Sequence, residues 1–326
     1  MSIKSLPIPN GFFKDYDQPL TLSYELFGQP LGEAPVVVIN HALTGNSSVA
    51  GIKGWWNRLV GADLTINTKV FTILAFNIPG NGYDGNEISN YTYFTTKKVA
   101  EMFWYGLDQL GISQLYALVG GSLGGGIAWE MALQRADAVQ HLIPIATHYK
   151  ASDWLIGNTH IQELILKNSS RPVYDARVHA MLLYRTPQSL TDKFGGTFHE
   201  ESNRFEVERW LDHHGKTLEQ RFTKSSYQLV NHLLKTIGRS TTHDRLISYI
   251  KTTRAQIHII AVSTDYMFTN EEQFELFTTL KKYKKEVWFH SIKSPHGHDA
   301  FLMEYNQLHH FLKPLFAAHQ LKTAFK

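Results

Sequence analysis

The stretch LYALVGGSLGGGIAWEMALQ, residues 115–134, sets two glycines before one serine and three after it, between an apolar run and a helix-like run. An apolar run of this length closed by glycine reads as a buried strand, and the residues after the serine read as a helix. Gly120, Ser122 and Gly124 therefore form G-x-S-x-G in the strand-to-helix context that a nucleophile elbow requires. A strand that turns abruptly into a helix forces its apex residue into strained backbone, and only neighbours without a Cβ let the chains pass that closely. Ser122 is then expected to project from the carboxyl edge of a sheet, at the amino end of a helix whose dipole favours developing negative charge. The competing reading is a phosphate-binding loop. Its G-x-G-x-x-G spacing fits only after a shift, and no lysine follows for a P-loop.

Working outward, short β-rich runs recur at 34–40, 70–77, 115–119, 141–146, 257–263 and 286–292. Their near-continuous apolar character marks strands covered on both faces, as in a parallel sheet. Helical patterns lie between them: Thr95 or Thr96 can cap a segment in which Val99, Phe103, Leu107 and Leu110 recur at helical spacing before Gly111 stops it. This alternation predicts an α/β protein with a mostly parallel, doubly wound sheet. Residues 147–245 break the rhythm with polar helical patterns and no convincing strand, and read as a helical lid inserted into a core formed by 1–146 and 246–326. A separate C-terminal domain from residue 147 is the alternative, disfavoured because strand-like runs resume after the insertion.

An elbow of the α/β-hydrolase kind needs an acid and then a histidine later in the chain, each just after a strand. Asp265 in VSTDYMF and His298 in SPHGHDAFL meet both demands. The oxyanion hole needs the amide after the nucleophile, Leu123, and a second from NHALTGNS after the early strand, where Leu43 is the best placed and His41 is expected to buttress the loop. A rival metal constellation of His296, His298, Asp299 and His41 lacks H-E-x-x-H, so no metal is expected.

The segments NHALTG (40–45), GWW (54–56), GGSLGG (120–125), DARVHAMLLYRT (175–186), STDYMF (263–268) and GHDAFL (297–302) together resemble the homoserine O-acetyltransferase family, in that family's order. The resemblance implies the α/β-hydrolase fold and transfer of an acetyl group from acetyl-CoA to L-homoserine in methionine biosynthesis. It implies Ser122 as nucleophile, Asp265 as triad acid, His298 as base, and Leu43 and Leu123 as oxyanion donors. It also implies Arg177, Tyr184 and Asp299 as the amino-acid site, no bound cofactor with acetyl-CoA as co-substrate, and a homodimer. The chemistry of two of these residues agrees: a guanidinium fork matches a carboxylate, and an aspartate beside the histidine can hold an ammonium. The chain differs from the family's usual pattern at IPGNGYDGNE (78–87), at Thr264 in place of serine and at Leu123 in place of methionine. A serine hydrolase of small esters or thioesters is the alternative activity, and a non-catalytic binder is disfavoured because all three triad positions are filled.

Bulk properties narrow the rest. With 326 residues, 43% hydrophobic and 13% aromatic, the chain can bury a large core. Net charge is +3, and the one dense basic cluster, Lys281, Lys282, Lys284 and Lys285, is interrupted by Tyr283 and followed by Glu286. That reads as a solvated helix end, so no nucleic-acid partner is expected. There is no cysteine, which excludes disulfides and thiolate catalysis and fits a cytoplasmic location. Residues 1–11 hold no signal-like apolar core, and no run reaches the ~18 residues that spanning a bilayer needs, so a soluble protein without a membrane partner is expected.

Overall fold

The computed structural model describes residues 3–324. Its principal sheet is built from β1 (Lys4–Ile8), β2 (Leu20–Gly28), β3 (Val36–Asn40), β4 (Thr72–Phe76), β5 (Leu115–Gly121), β6 (Val139–Ile145), β7 (Gln256–Val262) and β8 (Val287–Ile292). The spatial order is β1-β2-β4-β3-β5-β6-β7-β8. From β4 to β8 every pairing is parallel, while β1 with β2 and β2 with β4 are antiparallel. The six strand-like runs thus supply the parallel strands. The antiparallel edge leaves no such run because β1 contains Pro7 and is mostly exposed, and β2 mixes Ser23 and Glu25 with its apolar residues.

Both faces of the sheet are covered, as the continuous apolar runs require. Successive side chains of a strand point to opposite faces, so Val36 and Val38 of β3 enter one core, and Val37 and Ile39 enter the other. The first core takes in α1 (Thr96–Gln109) and α2 (Leu123–Gln134); the second holds Trp56, Phe71, Phe301 and Phe316. Thr95 caps α1 by accepting from the Lys98 amide, and the chain leaves the helix through Gly111 at φ +70°.

Six helices separate β6 from the return to the sheet, the first five being α3 (Asp153–Asn168), α4 (Pro172–Tyr184), α5 (Pro187–Phe194), α6 (Glu206–Glu219) and α7 (Lys224–Lys235). Ser152, Thr186 and Thr223 cap α3, α5 and α7 with their side-chain oxygens, and Pro172 and Pro187 open α4 and α5, where no amide hydrogen is needed. This region also carries one two-residue antiparallel ribbon, Phe198–His199 with Arg204–Phe205, too short to leave a periodic signal. Then α8 (His243–Thr252) straddles residue 245 and leads into β7, followed by α9 (Asn270–Lys281) and the terminal α10 (Tyr305–Ala324). Among the described residues, no helix is long and apolar enough to cross a membrane.

Candidate active site

Ser122 stands between the end of β5 and the start of α2 with φ +55° and ψ −124°, a conformation that costs an L-residue strain. The surrounding glycines make it reachable. A Cβ on Gly124 would lie 2.3 Å from the Asn40 carbonyl oxygen, and one on Gly120 would lie 2.2 Å from the Gly124 carbonyl oxygen. Asn40 reinforces the crossing by donating from Nδ2 to the Gly124 carbonyl at 3.3 Å.

Three loops at the carboxyl ends of β5, β7 and β8 bring the predicted acid, base and nucleophile together. His298 Nε2 lies 2.9 Å from Ser122 Oγ, and its Nδ1 lies 2.7 Å from Asp265 Oδ2. Asp265 is in turn oriented by the amides of Met267 and Phe268, which donate to Oδ1 at 2.7 and 3.1 Å. All three residues are buried. Burial alone lowers the His298 pKa, but the carboxylates of Asp265 and Asp299 outweigh it and raise the imidazole above its usual value.

The cleft over Ser122 is lined by Ala42, Leu43, Thr44, Arg177, Tyr184, His298, Asp299, Phe301 and Leu302. The predicted amino-acid residues therefore share one cavity with the nucleophile. Arg177 and Tyr184 come from α4, with the guanidinium carbon 5.3 Å from the Tyr184 ring centre. Asp299 comes from the 3-10 helix Gly297–Leu302 that carries His298. Burial pushes Asp299 above the ordinary carboxylate range, against the opposing pull of Arg177, His298 and Arg185. Leu43 lines the cleft, whereas Leu123 is buried at the first position of α2, where an amide has no intrahelical acceptor. Neither amide has a hydrogen-bond acceptor among the described residues.

His41 is held as a neutral strut. Its Nδ1 faces the Ala42 carbonyl at 2.7 Å, Nε2 accepts from the Ile78 amide at 3.1 Å, and burial lowers its pKa to about 4 despite the Ala42 bond. The loop after β3 is further fixed by Asn77, which accepts from the Ser47 amide, and by Ser47 Oγ, which donates to Glu25 at 2.6 Å. The rival metal constellation does not assemble: among the described residues no three His, Cys, Asp or Glu side chains converge to hold an ion. His296 turns toward Ser189 and Arg185, and His298 uses both nitrogens within the triad.

Two participants gain a role only from the fold. Thr264 Oγ1 donates to the Ser294 carbonyl at 2.8 Å and accepts from the Gly297 amide at 3.1 Å, clipping the acid loop to the histidine loop. Arg185 is buried behind Asp299, with Nη1 3.9 Å from Asp299 Oδ2. It stands just past the end of α4 in extended backbone, so helical spacing from Arg177 does not reveal its place.

A family profile described as "alpha/beta hydrolase fold" matches residues 35–281. The curated homoserine O-acetyltransferase of Geotalea uraniireducens is 29% identical over 94% of this chain and 93% of its own length. Among solved structures, homoserine O-acetyltransferase from Staphylococcus aureus superposes with a TM-score of 0.79 at 22% identity, covering 96% of this chain and 94% of that one. Esterase E22 superposes with a TM-score of 0.83 at 15% identity, covering 97% and 99%. These two superpositions establish the shared fold, which transferases and esterases both use.

Proposed function

This chain belongs to the alpha/beta hydrolase fold family and is an enzyme, and from that premise we propose that it is an O-acyltransferase moving an acetyl group from acetyl-CoA to the hydroxyl of L-homoserine. The observation that carries this reading is a charged pair, Arg177 and Asp299, lining the same cleft as Ser122 and His298. An arginine fork and a carboxylate are the complements of an α-carboxylate and an α-ammonium, and an esterase of simple acetyl esters has no use for both. Curated relatives named homoserine O-acetyltransferase over nearly the whole chain support the same acceptor.

In the first half-reaction His298 Nε2 takes the proton of Ser122 Oγ as the oxygen attacks the thioester carbonyl carbon. The Leu43 and Leu123 amides stabilise the resulting oxyanion. The carbon–sulfur bond then breaks, His298 returns its proton to the departing thiolate, and acetyl-Ser122 remains. Homoserine next enters with its carboxylate on Arg177 and its ammonium on Asp299. Its hydroxyl gives a proton to His298 and attacks the acetyl carbon, and collapse releases O-acetylhomoserine while Ser122 recovers its proton. Helices α3–α7 serve in this reading as a lid that brings Arg177 and Tyr184 over the serine and limits water.

The test is thiol release from acetyl-CoA with and without L-homoserine. Release that depends on homoserine, with acetylhomoserine formed in equal amount and both lost in Ser122→Ala, is the expected result. Equal release with and without homoserine would assign the triad to hydrolysis instead.

A further inference from the structure

Arg185 does not line the cleft, yet its guanidinium is one of the least solvent-accessible charges in the chain, with 9% of its side chain exposed. Its hydrogen bonds go to groups other than carboxylates: Nε and Nη2 donate to Ser189 Oγ at 3.1 and 2.7 Å, Nη2 reaches His296 Nδ1 at 3.4 Å, and Nη1 reaches Met303 Sδ at 3.3 Å. Ser189 Oγ lies 2.9 Å from His296 Nδ1 and closes the network. These partners fix the orientation of the guanidinium without cancelling its charge. A buried cation needs an anion, and the carboxylate that meets it is Asp299 at 3.9 Å.

We propose that Arg185 is a positioning residue for the acceptor, its locked guanidinium standing behind Asp299 and holding that carboxylate as the anionic seat for the acceptor's ammonium. The inference rests on the acyltransfer reading above and adds the residue that acts through Asp299. The charged groups facing Asp299 come from three elements: Arg177 and Arg185 on α4 and at its end, His298 on the shared 3-10 helix, and Asp265 after β7. Arg177 lines the cleft and in the reading above takes the substrate carboxylate, which leaves Arg185, outside the cleft, to hold Asp299 once the acceptor is bound. The neighbouring Thr186 Oγ1 donates to the Pro295 carbonyl, tying this corner of the lid to the histidine loop.

The experiment compares Arg185→Gln and Arg185→Lys with wild type in three reactions: p-nitrophenyl acetate hydrolysis, acetyl transfer to L-homoserine, and transfer to 4-hydroxybutyrate, which lacks the ammonium. In Arg185→Gln, KM for homoserine rises about tenfold near pH 7. Hydrolysis and the KM for 4-hydroxybutyrate stay within about twofold. Arg185→Lys recovers much of the loss, and Arg185→Gln has no further effect in an Asp299→Asn background. An unchanged homoserine KM, or equal damage to all three reactions with a lowered melting temperature in both variants, overturns the proposal. Wild-type enzyme that hydrolyses p-nitrophenyl acetate but transfers nothing to homoserine overturns the acyltransfer reading itself, and this inference with it.

Discussion

In the proposed mechanism Ser122 and His298 divide the work of one proton, and their surroundings set when it can move. His298 must be neutral at Nε2 to act as a base, with Nδ1–H donating to Asp265 at 2.7 Å to fix that tautomer. Burial works against the imidazolium, but Asp265 and Asp299 prevail and raise the pKa. The acid limb of kcat/KM for ester hydrolysis is therefore expected above the ordinary histidine value of about 6.5, with activity lost as pH falls through it. Asp299→Asn removes one of the two raising carboxylates and moves that limb to lower pH. A pH–rate profile checks both, and a limb that stays in place in the variant would separate Asp299 from the base. His41 shows the opposite outcome of burial. No carboxylate faces it in its hydrogen bonding, its pKa falls to about 4, and it remains a neutral tie between the loops after β3 and β4.

Between β5 and α2, the sharp turn depends on missing side chains. The Gly124 position is closed by backbone, with the Asn40 and His41 carbonyl oxygens 2.3 and 2.5 Å from any added Cβ, so nothing flexible can give way. Gly124→Ala is expected to cost about 3 kcal/mol or more in a denaturant melt, because strand and helix must separate to admit a methyl group. An alanine accommodated within about 1 kcal/mol would show that this turn is looser than its geometry. Much of this element was legible in the chain: strand, glycines, serine and helix occur in one continuous stretch. The antiparallel strands β1 and β2 were not, since an exposed edge and a strand mixing polar with apolar residues leave no clear pattern to read. Thr264 was visible as a departure from a family pattern, but its clip between the acid and histidine loops depends on Ser294 and Gly297, which fold back to meet it.

For the molecule as a whole, function turns on the meeting of two parts. The sheet edge supplies Ser122, Asp265 and His298, a set sufficient to hydrolyse an ester. The α4 helix adds Arg177 and Tyr184 to the same cleft. In the proposed transfer, water at about 55 M competes with a millimolar acceptor, so positioning must contribute a factor on the order of 10⁴ to 10⁵, within the reach of effective molarity. Arg177→Met is accordingly expected to raise the homoserine KM by roughly 10- to 100-fold, the value of a charge-assisted bond, and to shift the fate of acetyl-Ser122 from transfer toward water. Product analysis of acetate against acetylhomoserine reads that ratio. A variant that keeps the wild-type ratio would leave Arg177 outside the acceptor site.

The parallel strands, the elbow and the order of acid and histidine are written locally, because backbone periodicity and glycine placement act over a few neighbouring residues. Distances between those landmarks are not local. That His298 comes within 2.9 Å of Ser122, 176 positions away in the chain, follows from the packing of β5, β7 and β8 in one sheet. The place of Arg185 is the clearest case of this kind. In the chain it is one arginine beside a tyrosine; only burial against Ser189, His296 and Asp299 makes its charge matter, since a charge acts strongly on a neighbour when water is kept from between them.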